Sequence, residues 1–294
     1  NIGTVSNQLV RVTRENVSGP EISAANGTYV RFEHAGGTSF GILNGEEISE
    51  LDGDPVGGNA SLSGRTFDVS DVELGLPIDP AKPGRKVLAA AANYQPTSAP
   101  PRQVPHPRYL FKRSTALSAD GGDVERPQEV EMFIPEGELV IVIGRSGRHI
   151  PVNEVNDYIF GVAAGNDWSE LSWITAGSGP RPLKYVSKAT DTWAGLASRI
   201  VRGIDYSDLQ ITTRVNGELL SQGQSSTMIN NPARLVSYLS RYMTLKPGDL
   251  IYTGAIAPEP GMRRNLEVGD IVEVAVEGLG SMEQEVIDMP AWPY

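Results

Sequence analysis

The sequence predicts a mixed α/β fold, predominantly β, with a small N-terminal β lobe ahead of a larger C-terminal domain. Three observations carry this expectation. First, 32 glycines and 21 prolines among 294 residues favour a turn-rich β architecture over a helical bundle. Second, short β-prone runs alternate with hairpin turns. Third, Leu139-Val140-Ile141-Val142-Ile143 is a continuous apolar run, β-branched from Val140 onward, the pattern of a strand buried on both faces.

The elements follow in chain order. The first 26 residues show no sustained period and have no assigned role. Tyr29 to Glu33, Ser39 to Leu43 and Ile48 to Leu51 are β-prone, separated by Gly36-Gly37 and by Asn44-Gly45, a favoured hairpin turn. Asp52 to Pro83 is rich in Gly, Asp, Ser and Pro and reads as a surface connection. The boundary is set near residue 80, giving a lobe over 1–80 and a domain over 81–294. Leu209, Ile211, Thr213 and Val215 alternate with polar residues up to the Asn216-Gly217 turn. Leu235, Val236, Leu239, Tyr242 and Met243 then fall at helical spacing, with Asn231 as cap and Pro232 as first helical residue. Val272, Val274 and Val276 share one strand face, leaving Glu273 and Glu277 to water. In Leu245-x-x-Gly248-Asp249 and Leu266-x-x-Gly269-Asp270 the aspartates are read as turn-formers.

Composition removes several functions. Subtracting 36 acidic from 25 basic residues leaves −11, a field that repels nucleic acid and anionic membranes. Zero cysteines exclude disulfides, thiolate metal sites and cysteine nucleophiles, and three histidines leave oxygen as the main metal donor. No apolar run approaches the roughly 20 residues of a membrane span, and the first residues lack a signal-peptide pattern. A cytoplasmic chain is expected.

Glu136-Gly137-Glu138 places two carboxylates on one face of an extended backbone, where they repel unless a cation lies between them. Gly137 allows close backbone approach, and the apolar run behind it holds the pair rigid. Asp167 supplies a third oxygen donor after another apolar segment. Such a set suits Mg²⁺ first, with Mn²⁺ or Ca²⁺ as alternatives. The plainer reading is a solvated acidic edge, since Glu129 and Glu131 share the spacing. His106 lies between prolines in a loop that could carry it inward as a base. Arg102, Arg108, Lys112 and Arg113 form a basic group able to meet a substrate carboxylate. Trp168, Trp173 and Trp193 could wall an apolar pocket or fill the core.

Glu136 to Gly144, followed by Gly161 and Asn166-Asp167-Trp168-Ser169, resembles the signature of the fumarylacetoacetate hydrolase family. Asn93-Tyr94, Pro107 to Lys112, Lys188 with Asp191-Thr192, Val215 to Glu218, Pro247-Gly248-Asp249, Thr253-Gly254 and Gly278-Leu279-Gly280 occur in family order, so the resemblance covers residues 85–285. It implies a β-roll with the active site at its mouth, commonly in homodimers, acting on 2-oxo or β-diketo acids. It also implies Glu136, Glu138 and Asp167 as metal ligands, Lys188 as active-site lysine with Lys184 a rival, and Tyr94, Thr253 and Gly254 beside the substrate. The implied cation chelates the substrate carboxylate and keto oxygen and acts as a Lewis acid for an enolate.

Departures qualify the implied chemistry. Members that hydrolyse C–C bonds follow Asn-Tyr with a histidine and a glutamate that activate water, whereas Thr97 and Pro100 stand here. Leu171 and Ile174 replace an arginine and a glutamine usual after the Asn-Asp-x-Ser motif, and Ala255 replaces a threonine. The expected function is metal-dependent hydrolysis of a C–C bond in an acylpyruvate-like acid. A lyase of a 2-oxo acid (decarboxylase, dehydratase or hydratase) is the alternative, and a non-catalytic relative the third.

Overall fold

The computed structural model describes residues 18–95, 105–175 and 183–291. Thr97, Pro100 and Arg102 lie outside the described residues, as does the Lys184 side chain. Strands dominate. A 13-stranded sheet runs from Leu62–Asp68 through Glu47–Leu51, Gly37–Asn44 and Gly27–His34, then through Arg199–Arg202, Ile159–Asp167, Gly137–Ile143, Leu250–Tyr252 and Val87–Ala91 to Arg108–Lys112. A five-stranded sheet of Glu218–Gln224, Gln210–Val215, Ile271–Val276, Gly280–Asp288 and Asp123–Arg126 packs across it. The result is a rolled β domain with a small N-terminal lobe, whose Gly27–His34 strand pairs antiparallel with Arg199–Arg202.

The Gly137–Ile143 strand is buried along its whole length and is paired on both edges, by Ile159–Asp167 and by Leu250–Tyr252. Its β-branched run is therefore satisfied on every side, as a central strand requires. One face joins Leu139 to Ile211, Val215, Val272 and Val274 of the second sheet. Further along that same face Ile141 and Ile143 meet Val236 and Leu239 of the Pro232–Ser240 helix, while the opposite face sends Val140 and Val142 into a cluster with Tyr29, Val87, Phe160 and Tyr252. A Cβ on Gly137 would stand 2.2 Å from Thr213 Oγ1 and 3.0 Å from Val274 Cγ1, so glycine lets the second sheet close over the start of this strand.

Local chemistry sets the turns. Asn216 and Gly217 both adopt positive φ, 51° and 80°, the geometry of a two-residue hairpin turn. The Asn231 carboxamide accepts the Arg234 N–H at 2.9 Å and Pro232 opens the helix. Asp249 accepts the N–H groups of Lys246 and Lys86, each at 2.8 Å, and Asp270 accepts that of Glu267 at 2.8 Å, so both aspartates shape turns.

Two expectations are corrected. The helix ends at Ser240, leaving Tyr242 and Met243 beyond it. Leu245 exchanges two backbone hydrogen bonds with Gly147, which draws the chain off the helix axis. The Asp52–Pro83 stretch is more than a connection, because Leu62–Asp68 pairs with Glu47–Leu51, and Val56 and Ile78 are buried. That strand is exposed at nearly every position, so it carries no apolar alternation to betray it.

Candidate metal centre

The register of the two central strands assembles the acidic group. Gly137 pairs with Asn166 and Glu138 with Gly165. Asp167 N–H donates to the Glu136 carbonyl at 2.8 Å, and Glu136 N–H donates to the Asn166 side chain at 2.9 Å. These bonds lock the end of one strand onto the beginning of the other. One carboxylate oxygen from each of Glu136, Glu138 and Asp167 lies within 4.8 Å of the others. Glu138 and Asp167 are buried and Glu136 is partly exposed.

Two buried lysines face this group. Lys188, which closes the short helix Leu183–Lys188, donates to Glu136 and to Asp167. Lys112, at the end of its edge strand, donates to the other Asp167 oxygen and to the Trp168 carbonyl. Ser169 adds a hydroxyl to Glu136 at 2.6 Å. Glu138 is served differently, its carboxylate accepting the Gly254 N–H at 2.6 Å. Gly254 holds φ at 103°, and a Cβ there would stand 2.8 Å from Asn93 Cβ, so the turn that presents this N–H suits glycine.

The pKa directions follow from these contacts. Burial, then the charges of Asp167 and Glu136, pushes Glu138 well above the carboxylate range, against the pull of Lys188 and Gly254 N–H. Burial also raises Asp167, but Lys112 and Lys188 outweigh it and hold that carboxyl below its usual value. Burial lowers Lys188, yet the charges of Asp167, Glu136 and Glu138 prevail and hold its ammonium above the ordinary value. Lys112 falls, because burial and neighbouring Lys188 exceed the attraction of Asp167.

This donor set fits a hard cation. Three convergent oxygen donors, one of them a buried carboxylate that accepts a backbone amide and feels the charge of Lys188 without a direct bond to it, are what Mg²⁺, Mn²⁺ or Ca²⁺ would neutralise. Glu136, Glu138 and Asp167 are therefore a group able to hold a divalent ion.

A cavity of about 310 Å³ opens beside the group, with Glu136, Glu138, Asp167, Lys188 and Tyr94 on its polar side. The Tyr94 hydroxyl is buried and has no hydrogen-bond partner among the described residues. The remaining wall includes Leu110, Leu171, Ile174, Leu220 and Ile256, with Arg263 at the rim.

Not every residue singled out from sequence reaches this cavity. His106 and Arg108 are exposed and do not line it; His106 stacks on Tyr238, ring centroids 5.6 Å apart. Lys112 and Gly254 contact the carboxylates from behind, and the buried Thr253 hydroxyl donates to the Leu139 carbonyl at 2.8 Å. Trp168, Trp173 and Trp193 belong to the core with Phe133 and line no part of the cavity. Arg263 and Asn93 escaped the sequence reading as working parts. Asn93 is buried and bonds the carbonyls of Asn230 and Thr253 at 2.9 and 2.7 Å, tying three loops behind the site. Its place in the Asn93-Tyr94 motif was the signal for it.

The fumarylacetoacetate (FAA) hydrolase C-terminal model matches residues 84–287, and the Rv2993c-like N-terminal model matches residues 28–77. Protein Rv2993c of Mycobacterium tuberculosis is 30% identical over 272 residues, spanning 85% of this chain and 94% of its own. Oxaloacetate tautomerase YisK of Bacillus subtilis is 29% identical over 241 residues, spanning 78% of this chain and 77% of its own. The crystal structure of 5-carboxymethyl-2-hydroxymuconate delta-isomerase from Mycobacterium smegmatis superposes with a TM-score of 0.78 at 30% identity, covering 89% of this chain and all of that one. Among the described residues, no helix is long and apolar enough to cross a membrane.

Proposed function

The chain belongs to the fumarylacetoacetate hydrolase family, and from that premise we propose that it is a divalent-cation-dependent enzyme that enolises a small 2-oxo acid, as a keto–enol isomerase or a decarboxylase. The observation that carries this reading is a buried lysine bonded to two of three convergent carboxylates on the wall of a cavity where, among the described residues, no histidine stands. A tautomerase and an isomerase among the similar proteins support it.

In this reading Glu136, Glu138 and Asp167 hold Mg²⁺, which supplies Lewis acidity toward the carboxylate and keto oxygens of the acid. Lys188 keeps a positive charge beside the oxygen on which enolate charge develops, which favours loss of the proton on the neighbouring carbon to solvent water. Tyr94 contributes a buried hydroxyl able to donate to a substrate oxygen. Gly254 N–H fixes the Glu138 rotamer, and Lys112 fixes that of Asp167.

C–C hydrolysis of an acylpyruvate-like acid, which the sequence alone ranks first, becomes the second reading. It needs a base to activate water, and His106 is stacked on the helix surface instead. A homodimer in the cytoplasm is also proposed; the edge strand Arg108–Lys112 with its exposed Phe111 supports association, and sedimentation equilibrium would return twice the 31.6-kDa chain mass.

The test is proton exchange. With Mg²⁺ in D₂O, pyruvate and oxaloacetate should lose C3 protons in the NMR spectrum faster with protein than without, and Glu138→Gln should abolish the difference. Fragmentation of an acylpyruvate without faster exchange would establish hydrolysis instead, and no effect on any acid would leave a non-catalytic relative.

A further inference from the structure

Besides the carboxylate group and Lys188, the cavity is lined largely by aliphatic side chains, with Ser221 a hydroxyl among them. Leu110, Leu171, Ile174, Leu220 and Ile256 line it, drawn from an edge strand, a one-turn helix, the second sheet and a loop. Four separate segments thus present aliphatic side chains to the same space. Lys188 is committed to Glu136 and Asp167, and Arg263, the other cation on the described wall, is exposed at the rim.

A ligand whose head occupies the carboxylate end must lay its remaining atoms along the aliphatic wall. A second carboxylate there would shed water with the Ser221 hydroxyl as its one neutral side-chain donor on the described aliphatic wall, too little to offset the loss. An alkyl tail at the same place removes apolar surface from water on both sides. Reaching Arg263 rescues a dicarboxylate little, because an ion pair that stays hydrated contributes almost nothing net. Attraction and penalty therefore favour the same tail.

We propose that the site selects monocarboxylic 2-oxo acids carrying an apolar alkyl tail over dicarboxylic acids of equal length, with Leu171 and Ile174 setting that choice. This rests on the reading of the carboxylate group as a 2-oxo acid site. The volume of about 310 Å³ limits the tail to a few carbons beyond the head group.

The experiment uses the full chain with Mg²⁺ and follows enolisation of pyruvate, 2-oxobutanoate, 2-oxopentanoate and 2-oxohexanoate, with 2-oxoglutarate and 2-oxoadipate as length-matched dicarboxylates. Each added methylene should raise kcat/KM about fourfold until the cavity is filled. The dicarboxylates should trail their alkyl counterparts by at least about tenfold. Leu171→Arg should narrow or invert that ratio, whereas Arg263→Ala should leave the alkyl order unchanged. Turnover of pyruvate with a flat or inverted tail dependence overturns the tail assignment alone. So does a dicarboxylate preference that Arg263→Ala removes, since the rim arginine would then read the tail. If no acid in the series, pyruvate included, enolises faster with protein, the 2-oxo acid reading falls and the tail assignment with it.

Discussion

Asp167 accepts from two buried ammonium groups at once, Lys112 on one oxygen and Lys188 on the other. Only Lys188 lines the cavity, so Lys112 acts through Asp167 rather than on a substrate. Lys112→Met keeps most of the volume and removes the charge, leaving three carboxylates with one lysine. We expect the metal-free protein to lose about 3 kcal/mol of stability, as when one member of a buried ion pair is removed, and Mg²⁺ to recover part of the loss. Urea titrations with and without Mg²⁺ measure both, and unchanged metal-free stability would mean that Lys112 carries no charge in the fold. The contrast between the lysines shows what sequence makes legible at this scale. Glu136 and Glu138 share a face because strand geometry alternates, and a reader needs only the apolar run behind them to see it. Lys112 reads as a free cation near a substrate until the edge strand is laid beside Val87–Ala91, a placement fixed by long-range pairing.

Elements announced by alternation or turn chemistry were readable, and those without either were not. The central strand, the Asn216-Gly217 hairpin and the Asn231 cap each follow from a few adjacent residues. The Leu62–Asp68 strand is polar, exposed and held by pairing with its neighbour, so nothing local marks it. Its value lies in what it brings to Glu50. Arg65 donates to both carboxylate oxygens of this buried residue, Ser63 donates at 2.5 Å, and Ser39 of another strand donates at 2.7 Å. The Arg65 bonds, then that of Ser63, bring the Glu50 pKa from 4.5 to about 2, with burial opposing them and Ser39 assisting. The folded value lies below the unfolded one, so the associated stability is fully present above pH 4.5 and is lost as pH falls toward about 2. Glu50→Gln should therefore destabilise the protein at neutral pH, and its deficit should shrink steadily through that window. Denaturant midpoints at several pH values give the curve; a deficit constant with pH would remove Glu50 ionisation as the cause.

At the scale of the molecule, the acidic group joins parts of the chain that are far apart in sequence. Glu136, Glu138 and Asp167 come from two central strands, Lys112 from the sheet edge, Lys188 from a short helix, and Gly254 from a turn tied by Asn93 to the loop before the Pro232–Ser240 helix. Neutralising that group with a cation stabilises all of these segments together, and a ligand that binds only the folded state raises its stability by mass action. At a Mg²⁺ concentration of about 100 Kd the gain is about 2.7 kcal/mol. For a chain of 294 residues this corresponds to a Tm rise of about 4 °C. The rise should grow with the logarithm of free Mg²⁺ and be abolished in Glu138→Gln. KCl at matched ionic strength should not reproduce it, because screening across a surface of net charge −11 is not site binding. Equal shifts from KCl and MgCl₂, or a full shift in Glu138→Gln, would assign the effect to general charge screening and remove the acidic group as the metal site.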